Sequence, residues 1–132
     1  MSARAVCHHP YVAATVLVVD DHPSFRRFAR RLLEAAGFAV VDEAEDGATA
    51  LAAVRALRPD VVLLDVLLPD ATGFELAETL SAEPGAPVVV LTSSRSAADL
   101  NGALARSRAH GFIPKRDLTA ASFTALVDGA TA

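Results

Sequence analysis

The sequence predicts an α/β domain built on a doubly wound, five-stranded parallel sheet with a helix after every strand. Short runs rich in Val and Leu alternate five times with helical patterns. Two of these runs, Val61 to Leu64 and Val88 to Leu91, are apolar without interruption, as expected of central parallel strands covered on both faces. The length of 132 residues suits one domain and is too short for two ordinary ones.

Residues 1–14 have no clean period and mix Cys7, His8, His9 and Pro10, so a flexible leader is expected there and order from Thr15. The first strand is Val16 to Val19. In the helix that follows, Phe25, Phe28, Ala29, Leu32, Leu33 and Ala36 repeat at the spacing of one buried face, bracketed by Pro23 and Gly37. Val40 and Val41 mark the second strand. The second helix spans about Ala48 to Arg58 with Leu51, Val54 and Leu57 inward, and Pro59, which has no amide hydrogen, stops it. The third strand and helix are Val61 to Leu64 and Phe74 to Ser81. After the fourth strand, a helix near Ala97 to Arg108 has only Leu100 and Leu104 as large apolar anchors, so it is expected to be the most mobile. Phe112 and Ile113 form the fifth strand. The last helix, near Ala120 to Asp128, packs Phe123, Leu126 and Val127 and ends at Gly129, so the predicted domain is 15–128 with a tail at 129–132.

Composition narrows the function. The 52% hydrophobic content is spread in runs of four or five residues, far below the roughly 18 needed to span a bilayer, so a soluble protein without a membrane partner is expected. Cys7 is the sole cysteine and no basic leader opens the chain, which favours a reducing, cytoplasmic setting. Three adjacent residues, Cys7, His8 and His9, do not readily build a tetrahedral metal site. A net charge of -4 opposes direct contact with nucleic acid phosphates.

In an open parallel sheet, ligands bind beyond the carboxyl ends of the strands. The residues at those ends are Asp20 and Asp21, Asp65, Thr92 and, just past the fifth strand, Lys115. Three carboxylates on one rim repel each other by roughly 1 kcal/mol per pair even in water, which calls for a cation. Mg2+ suits hard oxygens, retained waters and a phosphate oxygen. Lys115 adds a fixed positive charge. With both present, a phosphoryl group has its equatorial oxygens neutralised by metal, Lys115 and the Thr92 hydroxyl while an Asp65 oxygen attacks in line. His22 borders this pocket and is expected mainly to start the first helix, and His110 is expected to be a loop residue. Arg26, Arg27, Arg30 and Arg31 are expected to form a solvated face, with kinase docking as the second choice.

These residues resemble the receiver domains of two-component response regulators. The match runs from Thr15 to about Asp128: Asp20-Asp21, Asp65 followed by Leu68-Pro69 and Gly73, Thr92 after Val88-Val89-Val90-Leu91, and Lys115 after Gly111-Phe112-Ile113. The Asp20-Asp21-His22-Pro23 and Gly111-Phe112-Ile113-Pro114-Lys115 segments look most like NarL/LuxR-type regulators, which usually carry a helix-turn-helix output domain. The resemblance implies a flavodoxin-like (βα)5 fold with strand order 2-1-3-4-5. It implies a magnesium site formed by Asp21, Asp65 and the Leu67 backbone carbonyl, with Asp20 acting through water. It further implies that Asp65 accepts the phosphoryl group from the histidine of a kinase or phosphotransfer protein. Thr92 would then move toward the phosphate and Phe112 fill the space left, switching the surface of the fourth helix, fifth strand and fifth helix toward an output domain or a second copy. Leu67 and Ser94 would flank the hydrolytic water and tune dephosphorylation. Many receivers place Pro directly after the lysine; here Arg116 follows Lys115 and Pro114 precedes it, so a cis bond at that point is not expected.

Three other readings compete. A phosphohydrolase with an aspartyl-phosphate intermediate usually carries Asp-x-Asp, and Leu67 stands where its second Asp would be. A nucleotide-binding domain needs a glycine-rich loop after the first strand, where this chain has Asp20-Asp21-His22-Pro23. A receiver-like module that no longer accepts phosphate is opposed by the complete set of rim residues. The expectation is therefore a signalling receiver that catalyses only its own phosphoryl transfer and slow dephosphorylation.

Overall fold

The computed structural model describes residues 13–95 and 98–131, so the expected leader lies outside the described residues up to position 12. The elements follow in the order β1 (Thr15–Val19), α1 (Pro23–Ala35), β2 (Ala39–Ala44), α2 (Gly47–Leu57), β3 (Val61–Asp65), α3 (Gly73–Ser81), β4 (Val88–Ser93), α4 (Asn101–Arg106), β5 (Gly111–Pro114) and α5 (Ala120–Thr131). Single 3₁₀ turns at Ala98–Leu100 and Lys115–Asp117 precede α4 and follow β5. All four strand pairings are parallel and the order is β2-β1-β3-β4-β5, as expected. Among the described residues no helix is long and apolar enough to cross a membrane.

Every residue of β3 and β4 is buried, which explains why both read as unbroken apolar runs. Pleat alternation divides them between two layers. Val16, Val18, Val61, Leu63, Val88, Val90 and Ile113 pack with Ala29 and Leu33 of α1 and Phe123 and Val127 of α5. Leu17, Val19, Val62, Leu64, Val89 and Leu91 pack with Ala50 and Val54 of α2 and Leu76 and Leu80 of α3. Phe38 meets Phe123 edge to face at 5.1 Å, tying the start of β2 to α5.

Edge strand β2 contains a bulge. Val16 pairs with Val40 but Leu17 with Asp42, so Val41 is the extra residue and is 40% exposed. The inserted residue lets Val40 and Glu43, three apart, share the α1 face, and it twists an edge that would otherwise invite strand addition. At the other edge, His110 does more than occupy a loop. Its N–H donates to the Val89 carbonyl at 2.8 Å and its ring Nδ1 accepts from the Val89 N–H at 3.0 Å. Burial lowers the imidazole pKa, in keeping with a ring that must offer a lone pair to that amide.

Helix ends follow local chemistry. Gly37, at φ 97°, lets the Phe38 N–H reach the Leu33 carbonyl at 3.0 Å and the Gly37 N–H reach the Glu34 carbonyl at 3.1 Å, closing α1. Thr72 and Glu75 form a reciprocal capping box at α3. Four expectations are corrected. Phe28 is 49% exposed, because it lies one residue, about 100°, from Ala29 at the centre of the buried stripe. Leu57 is 46% exposed; it is the last residue of α2, and Pro59 is buried where the chain turns back. The fourth helix is only Asn101–Arg106, since Ser107 is extended, although Leu100 and Leu104 do anchor it against the α2/α3 layer. The last helix passes Gly129 to Thr131; Ala130 packs against the core and offsets the roughly 1 kcal/mol cost of a helical glycine.

Candidate functional site

Register and pleat together assemble the rim. Val19, Leu64 and Leu91 point into the α2/α3 layer and sit on neighbouring rungs, Val19 opposite Leu64 and Leu64 opposite Leu91. The next residue of each chain turns toward the other face. Asp20, Asp65 and Thr92 are those residues, with Asp65 directly paired with Thr92. All three are buried, Asp20 and Thr92 completely. Asp21 and His22 are exposed, and with Asp65, Leu67, Ser94 and Lys115 they line a cleft of about 490 Å³. The expected acidic pair, acceptor, hydroxyl and lysine thus converge at one end of the sheet.

Lys115 is the hub. Its Nζ lies 2.6 Å from Asp20 Oδ2 and 3.6 Å from Asp65 Oδ2. Asp20 Oδ2 has no other polar partner among the described residues, so this pair is held by charge and lone pairs stay available. Asp20 Oδ1 accepts from the His22 N–H at 2.8 Å, and the His22 ring Nδ1 lies 3.0 Å from Asp20 Oδ1 and 3.1 Å from Asp21 Oδ1. Asp65 Oδ1 accepts weakly from the Leu67 N–H at 3.4 Å. Burial, and then the Asp20 charge, push the Asp65 carboxyl up to about 6 despite the opposing pull of Lys115.

One lysine therefore does not neutralise the cluster. Asp20, Asp21, His22 and Asp65 each offer a ligand atom, all within 4.8 Å of one another. Three hard carboxylates with an unneutralised charge are the donor set that suits Mg2+, and the residues fit that ion.

Phe112 is half-buried beside Leu91 on the α4 side of the sheet. Leu67 is 65% exposed at the cleft mouth, and the Thr92 hydroxyl, although buried, has no hydrogen-bond partner among the described residues. No cis peptide bond occurs among the described residues, in line with the Pro114-Lys115-Arg116 order. The expectation of a solvated arginine face holds for Arg27 and Arg31, which are exposed, but not for their neighbours. Arg26 Nε and Arg30 Nε bind Glu43 at 3.1 and 2.7 Å, and Arg26 Nη1 donates to the Asp20 carbonyl at 2.6 Å.

Three supporting residues escaped the sequence reading. Asp70 accepts from the Gly47 and Ala48 amides at 2.8 and 3.1 Å, fastening the loop after β3 to the start of α2. Asp46 caps the same helix through the Thr49 N–H at 2.8 Å, and its spacing to Thr49 was a visible cap signal. Phe25 places its ring under Lys115, 4.4 Å from Nζ; its spacing in a buried stripe concealed that second contact.

Fold and rim residues together are those of a two-component signalling receiver domain. The chain belongs to the response regulator receiver domains, matching that family over residues 16–125, and phosphorylation on an aspartate is the general function of that family. It is 44% identical over 87 residues to the DNA-binding response regulator MtrA of Mycolicibacterium smegmatis, covering 64% of this chain and 37% of that protein. Among solved structures it resembles the signal receiver domain of NarL from Mycobacterium tuberculosis, with TM-score 0.77, 36% identity and coverage of 90% and 97% of the two chains. A LuxR-family two-component response regulator from Aurantimonas sp. SI85-9A1 gives TM-score 0.78 at 29% identity, with 89% and 87% covered. The chain spans little more than a third of the length of MtrA.

Proposed function

We propose that Asp65 is the phosphoacceptor and that the donor is the histidine of a kinase or phosphotransfer protein. The observation that carries this reading is the meeting at one end of the sheet of Asp65, the Lys115 ammonium 3.6 Å away and Thr92, paired with Asp65 across the strands, whose buried hydroxyl has no hydrogen-bond partner among the described residues. An Asp65 oxygen attacks phosphorus as the bond to the donor nitrogen breaks. Lys115 and the Thr92 hydroxyl then donate to the phosphoryl oxygens. Asp20, Asp21, Asp65 and the Leu67 carbonyl would hold Mg2+, which when bound neutralises charge on the carboxylates and the phosphoryl oxygens. Such a donor places the domain in the cytoplasm, and output passes to a linked domain or second copy through the surface of α4, β5 and α5.

The switch follows from the same groups. Thr92 swings toward the phosphate and half-buried Phe112, which has no hydroxyl to anchor it outward, moves inward against α4. Binding of fluoroberyllate with Mg2+ is expected to shift the NMR signals of Phe112 and of residues 98–106. Shifts confined to the cleft would reject this route.

Leu67 and Ser94 tune the lifetime of the phosphate. A branched aliphatic side chain, 65% exposed at the mouth, offers no donor or acceptor to orient a hydrolytic water. Leu67→Asn is expected to shorten the half-life of the phosphorylated form severalfold, measured by loss of label after removal of the donor. Equal half-lives would remove Leu67 from this role.

A further inference from the structure

We infer that Phe25 is a positioning residue for Lys115: its ring is a platform that holds the ammonium between Asp20 and Asp65. A lysine carries its charge on a flexible four-carbon stem, and here two carboxylates compete for it, at 2.6 and 3.6 Å. Capture by Asp20 alone would withdraw the charge from the acceptor. The Phe25 ring is a third neighbour of the ammonium, which sits over it 4.4 Å from the centroid, within the range where the negative face of an aromatic ring attracts a cation. It also excludes water from that side, where an aliphatic side chain offers no electron-rich face.

The platform is fixed to the same piece of backbone as Asp20. Phe25 is in the first turn of α1, packed on the core beneath that helix and 6.1 Å from the ring of Phe28. That turn is tied down by the Arg26 N–H on the His22 carbonyl and by the Arg26 guanidinium on the Asp20 carbonyl. Ring and buried carboxylate therefore move together, and Lys115, arriving from the far edge of the sheet, docks between them.

This inference deepens the phosphoacceptor reading, and its test separates the two. In wild type, the Lys115 ε-methylene protons are expected upfield of those of an unstacked lysine and to show Overhauser contacts to the Phe25 ring. Phe25→Leu is expected to abolish the shift and increase the mobility of the Lys115 methylenes, and Phe25→Tyr to preserve both. With acetyl phosphate and Mg2+, Phe25→Leu is expected to lower the maximal phosphorylation rate by roughly 3- to 10-fold, leave half-saturation by donor little changed and be rescued by Phe25→Tyr. In a Lys115→Met background, Phe25→Leu is expected to change nothing further. A Lys115 side chain equally shifted and ordered in Phe25→Leu would overturn the inference, as would a rate in Phe25→Tyr as low as in Phe25→Leu. Wild type that takes up no phosphate while Lys115 still loses its place in Phe25→Leu would sink the phosphoacceptor reading and sustain the positioning role.

Discussion

Gly73→Ala is expected to cost about 3 kcal/mol, near the upper end for inserting a methyl into a packed site, and to cut phosphorylation at least ~10-fold, since small misplacements of reacting groups are expensive. A β-carbon at Gly73 would lie 2.5 Å from the Asp65 carbonyl oxygen and 2.9 Å from Val66 Cα. Both neighbours are backbone, so no side chain can rotate out of the way. The Gly73 N–H also donates to the Val66 carbonyl at 2.6 Å, which pins the start of α3 to the strand end bearing Asp65. Any relief of the clash therefore displaces Asp65. Gly129→Ala is the control: among the described residues nothing lies within 4 Å of the added carbon in a helical position, so stability should rise, by up to about 1 kcal/mol. Thermal melts and acetyl phosphate labelling of both variants test this. A Gly73→Ala protein with wild-type melting temperature and labelling would refute the close-approach account.

Asp65→Asn is expected to stabilise the magnesium-free domain at pH 7.5 by up to about 3 kcal/mol, or roughly 10 °C in melting temperature. Burial and the Asp20 charge push the Asp65 carboxyl up from its usual 3.8 to about 6. Because the folded pKa is raised, the stabilising contribution of the neutral acid is complete below about 3.8 and lost as pH rises through 6. An amide never ionises and avoids that loss. The advantage of Asp65→Asn should therefore shrink as pH falls from 7.5 to 4, and adding Mg2+ should stabilise wild type more than the variant. Melts in chelating buffer across that range decide it, and a variant less stable than wild type at pH 7.5 would contradict the electrostatic picture. A site that holds Asp65 in an unfavourable charge state gives up stability, as functional sites commonly do.

Much of this was legible in the sequence because parallel strands buried on both faces leave unbroken apolar runs, and the residues ending those runs lie on one rim. Val61 to Leu64 and Val88 to Leu91 end at Asp65 and Thr92, which puts both residues on that rim. Helix ends were less legible. Periodicity alone made Phe28 and Leu57 core residues, although the angular width of the stripe exposes one and the end of the helix the other. Gly129 read as a stop, whereas packing of Ala130 carries α5 onward. The bulge at Val41 had no local signature, since it is defined by the register of β2 against β1. Long-range polar contacts were least legible. Asp70 bonds to amides 23 and 22 residues away, and Lys115 meets Phe25 only after the sheet has formed.

If Asp65 takes the phosphoryl group, removing its carboxylate must abolish labelling. Intact-mass spectrometry of wild type and Asp65→Asn after incubation with acetyl phosphate and Mg2+ tests it most directly. The expected result is a gain of one phosphoryl group in wild type, lost on treatment with hydroxylamine and blocked by chelator, with no gain in the variant; an equal gain in both proteins would contradict it.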